Sequence, residues 1–179
     1  MEELTNYQPM SLLGLIIALA FYECVFTGGY LVFKKSVRHQ ANRYLGISLL
    51  MPAIILLPGL LSQLQLLEQL PHVIHIHFIV FFLFGPLLYL YVRACTQKDF
   101  RLQPKLWLHF IPALIGLIYF FPFYLQSGEA KYQAFVVWRN TGSMGVPPWI
   151  MLIRTLHPII YFFVCLQLVF EMNHLSVDN

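Results

Sequence analysis

The chain has 179 residues, of which 59% are hydrophobic and only 11% charged, and its mean hydropathy is +0.68. Water-soluble domains carry about 45–50% apolar and about 25% charged residues, so eight carboxylates and eleven Lys/Arg are too few to cover an aqueous surface. The same figures exclude a disordered chain, a disulfide scaffold and collagen. A net charge of +3 is too small for a nucleic-acid footprint. The composition is that of an integral membrane protein.

Residues 1–10 form a short N-terminal arm without Lys or Arg. An apolar run follows over residues 11–33, interrupted by a single charge, Glu23, and closed by Lys34 and Lys35. Ala20, Cys24 and Gly28 stand at i, i+4 and i+8 of this run, a small-residue face that lets helices approach closely. The second run, residues 44–67, has no charge and holds Pro52 and Pro58. The third, residues 73–92, starts inside the group His72, His75, His77 and contains Pro86. The fourth, residues 106–125, contains Pro112 and Pro122. Residues 126–145 are more polar, carry Tyr132, Phe135, Trp138 and Arg139, and read as a connection lying on the membrane interface, the alternative being an aromatic surface presented to a ligand. The stretch Thr141-Gly142-Ser143-Met144-Gly145 within it reads as a turn. The fifth run, residues 146–170, has one charge, Arg154, and Pro158; residues 171–179 remain as a tail.

Crossing about 30 Å of hydrocarbon takes about 20 apolar residues in a helix, and all five runs are long enough. Their apolar residues are continuous rather than alternating, which argues against a lipid-facing barrel. Backbone groups in lipid must then pair within each segment, so the predicted fold is all-α, a bundle of five transmembrane helices. Lys34, Lys35, Arg38 and Arg43 lie between the first two spans, and Arg93, Lys98, Arg101 and Lys105 between the third and fourth. The opposite side has only Lys131 and Arg139. Under the positive-inside rule the N-terminus is outside and the tail cytoplasmic.

Charges inside hydrocarbon are expensive unless paired or hydrated, which makes them the best candidates for a site. Arg154, His157 and Tyr161 occupy i, i+3 and i+7 and share one helical face. Glu23 is the expected counterpart across the bundle, forming with them either a latch between helices or a ligand-sensing polar core. Pro86 and Pro158 are candidate hinges, because each removes a helical hydrogen bond. His72, His75 and His77 lack a companion at metal-ligand spacing, so no metal is expected. His109, beside Trp107, reads as an interfacial anchor. There is no HExxH, phosphate loop or dinucleotide fingerprint. No catalytic residue, cofactor or enzymatic activity is predicted.

The run His77-Phe-Ile-Val-Phe-Phe-Leu-Phe-Gly85-Pro86-Leu-Leu-Tyr89-Leu-Tyr91-Val-Arg93 and the later Leu108-His109-Phe110-Ile111-Pro112 carry a resemblance. With Asn42-Arg43-Tyr44-Leu45-Gly46 opening the second span, they resemble the membrane-embedded N-terminal region of bacterial AraC-type transcriptional regulators. The resemblance covers about residues 10–170. It implies a multi-span sensor region that precedes a cytoplasmic helix-turn-helix domain. No DNA-binding residue carries over, because the sequence after Phe170 is too short for a helix-turn-helix. The chain is thus expected to be a fragment of a longer regulator, a truncated product or a standalone relative.

The resulting expectation is a sensor or signal-transmitting region of a transcriptional regulator in a bacterial inner membrane. Its partners are membrane lipid and a small-molecule or envelope stimulus, with a homo-oligomer left open and no nucleic acid bound through this chain. A small membrane transporter and a structural or assembly subunit are the alternatives.

Overall fold

The computed structural model describes residues 10–36, 38–97, 100–143 and 145–177; most of the N-terminal arm, as well as Met144 and the last two residues, lie outside it. Six α-helices follow one another: α1 Leu12–Phe33, α2 His39–Gln63, α3 His77–Thr96, α4 Ile111–Tyr124, α5 Gly128–Thr141 and α6 Pro148–Val177. Two 3-10 segments, Pro71–Val73 and Pro104–Phe110, precede α3 and α4. No strand occurs among the described residues. Five helical segments are long and apolar enough to cross a membrane, the fourth being Pro104–Tyr124 taken as one piece.

Several boundaries depart from the sequence reading, for local reasons. The third helix starts at His77 rather than at residue 73, because His75 takes a left-handed backbone (φ 64) that no α-helix continues. Pro112 sits in the first turn of α4, where the 3-10 segment Pro104–Phe110 passes into the α-helix, a position that tolerates proline. Residues 126–145, expected as a connection, contain the two-ended helix α5. Ser127 accepts from the Ala130 amide at its start, and Gly142, left-handed at φ 71, closes it. The expected tail 171–179 is helical through Val177, since neither Gly nor Pro interrupts the sequence after Pro158.

Paired contacts give the helix directions. Ser11, which caps α1, donates to Gln63 at the far end of α2 over 2.9 Å, while Gly28 meets Gly46, so α1 and α2 are antiparallel. At that crossing a Cβ on Gly46 would stand 2.6 Å from the Gly28 carbonyl oxygen, a closeness only glycine permits. Phe78 stacks on Phe120, Phe82 lies against Gly116 and Tyr89 against His109, so α3 and α4 are also antiparallel. Arg154 lies over Phe78, His157 meets Phe82, and Tyr161 meets Gly85: α3 and α6 run parallel. Both Lys/Arg-rich connections therefore fall at one end, where Tyr44 and Phe100 touch edge to face.

The core lies around α3. Met51, Val80 and Leu87 join α2 to it, and Phe78, Phe120 and Ile150 join α4 and α6. The outward faces remain apolar; on α1 alone Leu12, Leu13, Ile16, Leu19 and Phe26 are exposed. Apolar surface on this scale suits lipid rather than water.

Candidate functional site

The three polar residues of α6 do share a face, and α3 covers it. Tyr161 lies deepest toward the basic end, where its hydroxyl and His109 Nδ1 share a hydrogen bond of 2.7 Å and Tyr89 rests on the imidazole. His157 is held between the rings of Phe82 and Tyr161, with neither ring nitrogen hydrogen-bonded among the described residues. Arg154 stands at the opposite end, its guanidinium carbon 5.0 Å from the centre of the Phe78 ring and 4.6 Å from that of Phe81.

Glu23 does not join them. It is exposed on α1, and its carboxylate accepts from Thr27, one turn on, at 2.9 Å. α1 packs on α2 through the Gly28–Gly46 crossing, which turns Glu23 away from α6. The expected Glu23–Arg154 latch is therefore absent. Among the described residues Arg154 has aromatic rings in place of a counter-ion.

Both candidate hinges border this seam. Pro86 is fully buried in α3 next to Gly85, whose α-carbon packs on the Tyr161 ring. Pro158 lies in α6 and removes the amide that would have bonded the Arg154 carbonyl, loosening the helix at that residue.

At the end of the bundle opposite the basic connections, a cavity of about 490 Å³ opens among α1, α2, α3, α5 and α6. Arg154, Arg139, His75 and His77 are its ionisable lining, and Phe81, Phe135 and Trp138 supply aromatic walls. Arg154 also borders a more open recess formed by Thr141, Gly142, Ser143 and Pro148, so its head group stands between the inner space and the surface. No Asp or Glu lines either space among the described residues. Two buried nitrogens at the cavity, Arg154 Nε and His75 Nδ1, have no hydrogen-bond partner among the described residues.

His75 combines several unusual features. It is buried, its backbone is left-handed, and its ring packs on His77, Phe78 and Phe123. A histidine at positive φ is uncommon, and such strain gathers at binding sites. Its carbonyl accepts from the Tyr124 hydroxyl at 3.1 Å, which helps hold the turn. Burial pushes its pKa below the ordinary histidine range, favouring the neutral ring.

The three histidines of the sequence group separate. His77 and His75 face the cavity, while His72 turns to α5, where its Nδ1 lies 2.8 Å from Lys131 Nζ. Lys131 is almost wholly buried and also donates to the Tyr124 carbonyl at 2.8 Å. No group of three His, Cys, Asp or Glu side chains could hold a metal ion among the described residues.

The sequence singled out Arg154 but gave no sign of the His109–Tyr161 bond or of the buried Lys131. The aromatic residues of 126–145 were legible as a surface, and the structure places Phe135 and Trp138 on a cavity wall. Comparison of the chain with known protein families, with curated proteins and with solved structures finds no match.

Proposed function

We propose that the chain is the membrane-embedded sensor region of a bacterial AraC-type transcriptional regulator. It would lie in the inner membrane with the cavity end outside and the two basic connections inside. The observation that carries the sensing part is the cavity itself, which is bounded by five helices and reaches α6 through Arg154. A volume of about 490 Å³ falls within the ordinary range for small-ligand sites, about 300–1,000 Å³. The transcriptional part rests on the resemblance carried by the Gly85–Arg93 and Leu108–Pro112 runs.

The mechanism is a shift between two packings of α6 on α3. Arg154, His157 and Tyr161 register the two helices along one seam, and Pro158 loosens α6 one turn beyond Arg154. An occupant that draws Arg154 off the Phe78 and Phe81 rings would favour one packing over the other, which is the condition for any ligand-driven change. The displacement would pass along α6 toward the basic, cytoplasmic end.

Deletion of residues 11–170 from the chromosomal gene tests the reading. Transcript profiles are compared in wild-type and deletion cells under osmotic, acidic and organic-acid challenge. Loss of a stimulus response in a defined gene set is expected. Identical profiles under every challenge overturn the proposal.

A further inference from the structure

We propose that the cavity binds an organic anion, with a carboxylate or phosphate held by Arg154 and Arg139 and an apolar body lying against Phe81, Phe135 and Trp138. This deepens the sensor reading by giving the chemical class of its stimulus, and it rests on that reading only for the signalling consequence.

The argument begins with an unbalanced charge. A guanidinium drawn out of water is normally paired with a carboxylate or wrapped in carbonyls. Arg154 is half-buried and has neither among the described residues: two phenylalanine rings flank it, and its buried Nε lacks a partner there. Cation–π contacts contribute about 0.5–2 kcal/mol each, less than the several kcal/mol that ion desolvation costs. The planar fork of arginine matches the two oxygens of a carboxylate or phosphate. Arg139, exposed on α5, borders the same space and adds a second positive charge. Among the described residues no carboxylate lines the space, so none of them repels an anion there.

The remaining walls fix the other half of the ligand. Ile17, Ile55, Phe81, Phe135 and Trp138 are apolar or aromatic, so a fully hydrated inorganic anion would leave them unsatisfied. His75 also lines the space, and its buried Nδ1 has no hydrogen-bond partner among the described residues. Arg154 also borders the open recess at Thr141–Ser143, so its head group is within reach from outside the cavity. An oxyanion on an apolar body has two sources, a soluble organic acid or the headgroup of an anionic phospholipid, and the experiment separates them.

The full chain is placed in phosphatidylcholine nanodiscs, with Trp107 and Trp149 replaced by Phe so that Trp138 reports alone. Titration with 3-phenylpropionate is expected to quench Trp138 saturably, and 3-phenyl-1-propanol to bind roughly tenfold to a hundredfold more weakly. Arg154→Met should lose affinity by a similar factor, and Arg139→Gln by less. A second preparation contains phosphatidylglycerol. If that lipid blocks the acid, and co-purifies with wild type but not with Arg154→Met, the headgroup is the native anion. If it does neither while the acid still binds, the source is a soluble acid. The proposal is overturned if acid and alcohol bind wild type equally and no lipid retention depends on Arg154. The acid–alcohol comparison uses wild type alone, so a misfolded variant does not blunt it. Because binding is read without any transcriptional reporter, failure here leaves the regulator reading to its own test.

Discussion

Lys131 Nζ lies 2.8 Å from His72 Nδ1 and 2.8 Å from the Tyr124 carbonyl, so one buried ammonium ties α5 to the 3-10 turn and to the end of α4. Lysine has donors and no acceptor. With the ammonium donating, His72 Nδ1 serves as the acceptor. Gly128 packs on Pro71 beside this bond, completing the attachment. α5 carries Phe135, Trp138 and Arg139 into the cavity wall, so its attachment fixes the shape of the site.

Lys131→Met keeps the length of the side chain and removes the donor. The Tyr124 carbonyl and His72 Nδ1 lose their donor; His72 is exposed and can turn to water, so the cost is about 1 kcal/mol, that of one hydrogen bond. The expected result is faster amide hydrogen exchange over residues 128–141, with α3 little changed. Unchanged protection of α5 would mean that apolar packing alone holds it.

His75 should make stability depend on pH. Burial lowers its pKa from the ordinary value of 6.5. As pH falls through that value the unfolded chain takes up the proton while the folded ring stays neutral. The unfolded state then binds more protons, so acid favours unfolding. The contribution of His75 is thus complete above about pH 6.5 and declines below it. Asparagine tolerates the left-handed backbone, which makes His75→Asn the suitable comparison. From about pH 7.5 to about pH 5, wild type should lose more thermal stability than this variant. Parallel losses would show that other groups govern the acid response.

The spans and the Arg154–His157–Tyr161 stripe were legible because both follow from hydropathy and helical period alone. Continuous apolar runs admit only helices in lipid, and residues three and four apart share a face in any helix. What the stripe faces is a matter of tertiary order. The sequence holds one carboxylate and one guanidinium deep in its spans, and pairing them was the economical reading. Gly28 and Gly46 decide otherwise, since their backbone contact turns α1 toward α2 and leaves Glu23 outside. The His109–Tyr161 bond and the His72–Lys131 bond join residues 52 and 59 apart, a separation no local pattern encodes. α5 was missed because its 14 residues hold only one short apolar run, Ala134–Trp138, among polar and charged ones, too little to mark a helix by hydropathy.

The α1–α2 crossing gives a sharp packing test. A Cβ on Gly46 would lie 2.6 Å from Gly28 O and 2.8 Å from the Val32 amide nitrogen, both backbone atoms that cannot swing aside. At Gly29 a Cβ would meet nothing within 4 Å. Gly46→Ala should therefore destabilise by about 1–3 kcal/mol through overpacking, while Gly29→Ala should be neutral or slightly stabilising from helix propensity. Thermal denaturation in detergent measures both, and equal effects would refute the close crossing.

Orientation is open to labelling. After Cys24, Cys95 and Cys165 are replaced, single cysteines at Ser36 and Ser143 sit at opposite ends of the bundle. Under the proposed topology a membrane-impermeant maleimide added to intact spheroplasts modifies Ser143→Cys and spares Ser36→Cys until the cells are lysed. The basic connections draw that side inward, and the reverse pattern would invert the assignment of the cavity to the outer face.

Arg154 provides the least intuitive expectation. Truncating a buried, paired charge is normally destabilising, because the partner is stranded. Here no carboxylate is stranded, since Phe78 and Phe81 are the partners and both accept an apolar neighbour equally well. Arg154→Met removes a half-buried charge with an unpartnered Nε and keeps most of the side-chain volume, so the ligand-free protein in phosphatidylcholine should melt slightly higher, by at most about 1 kcal/mol in stability. The same substitution should abolish the added stability that a bound organic anion gives wild type, because a ligand stabilises only the state that binds it. The two effects have opposite signs and come from one side chain. A lower melting point for the ligand-free variant would show that Arg154 holds the bundle together, in which case it serves the fold before any ligand.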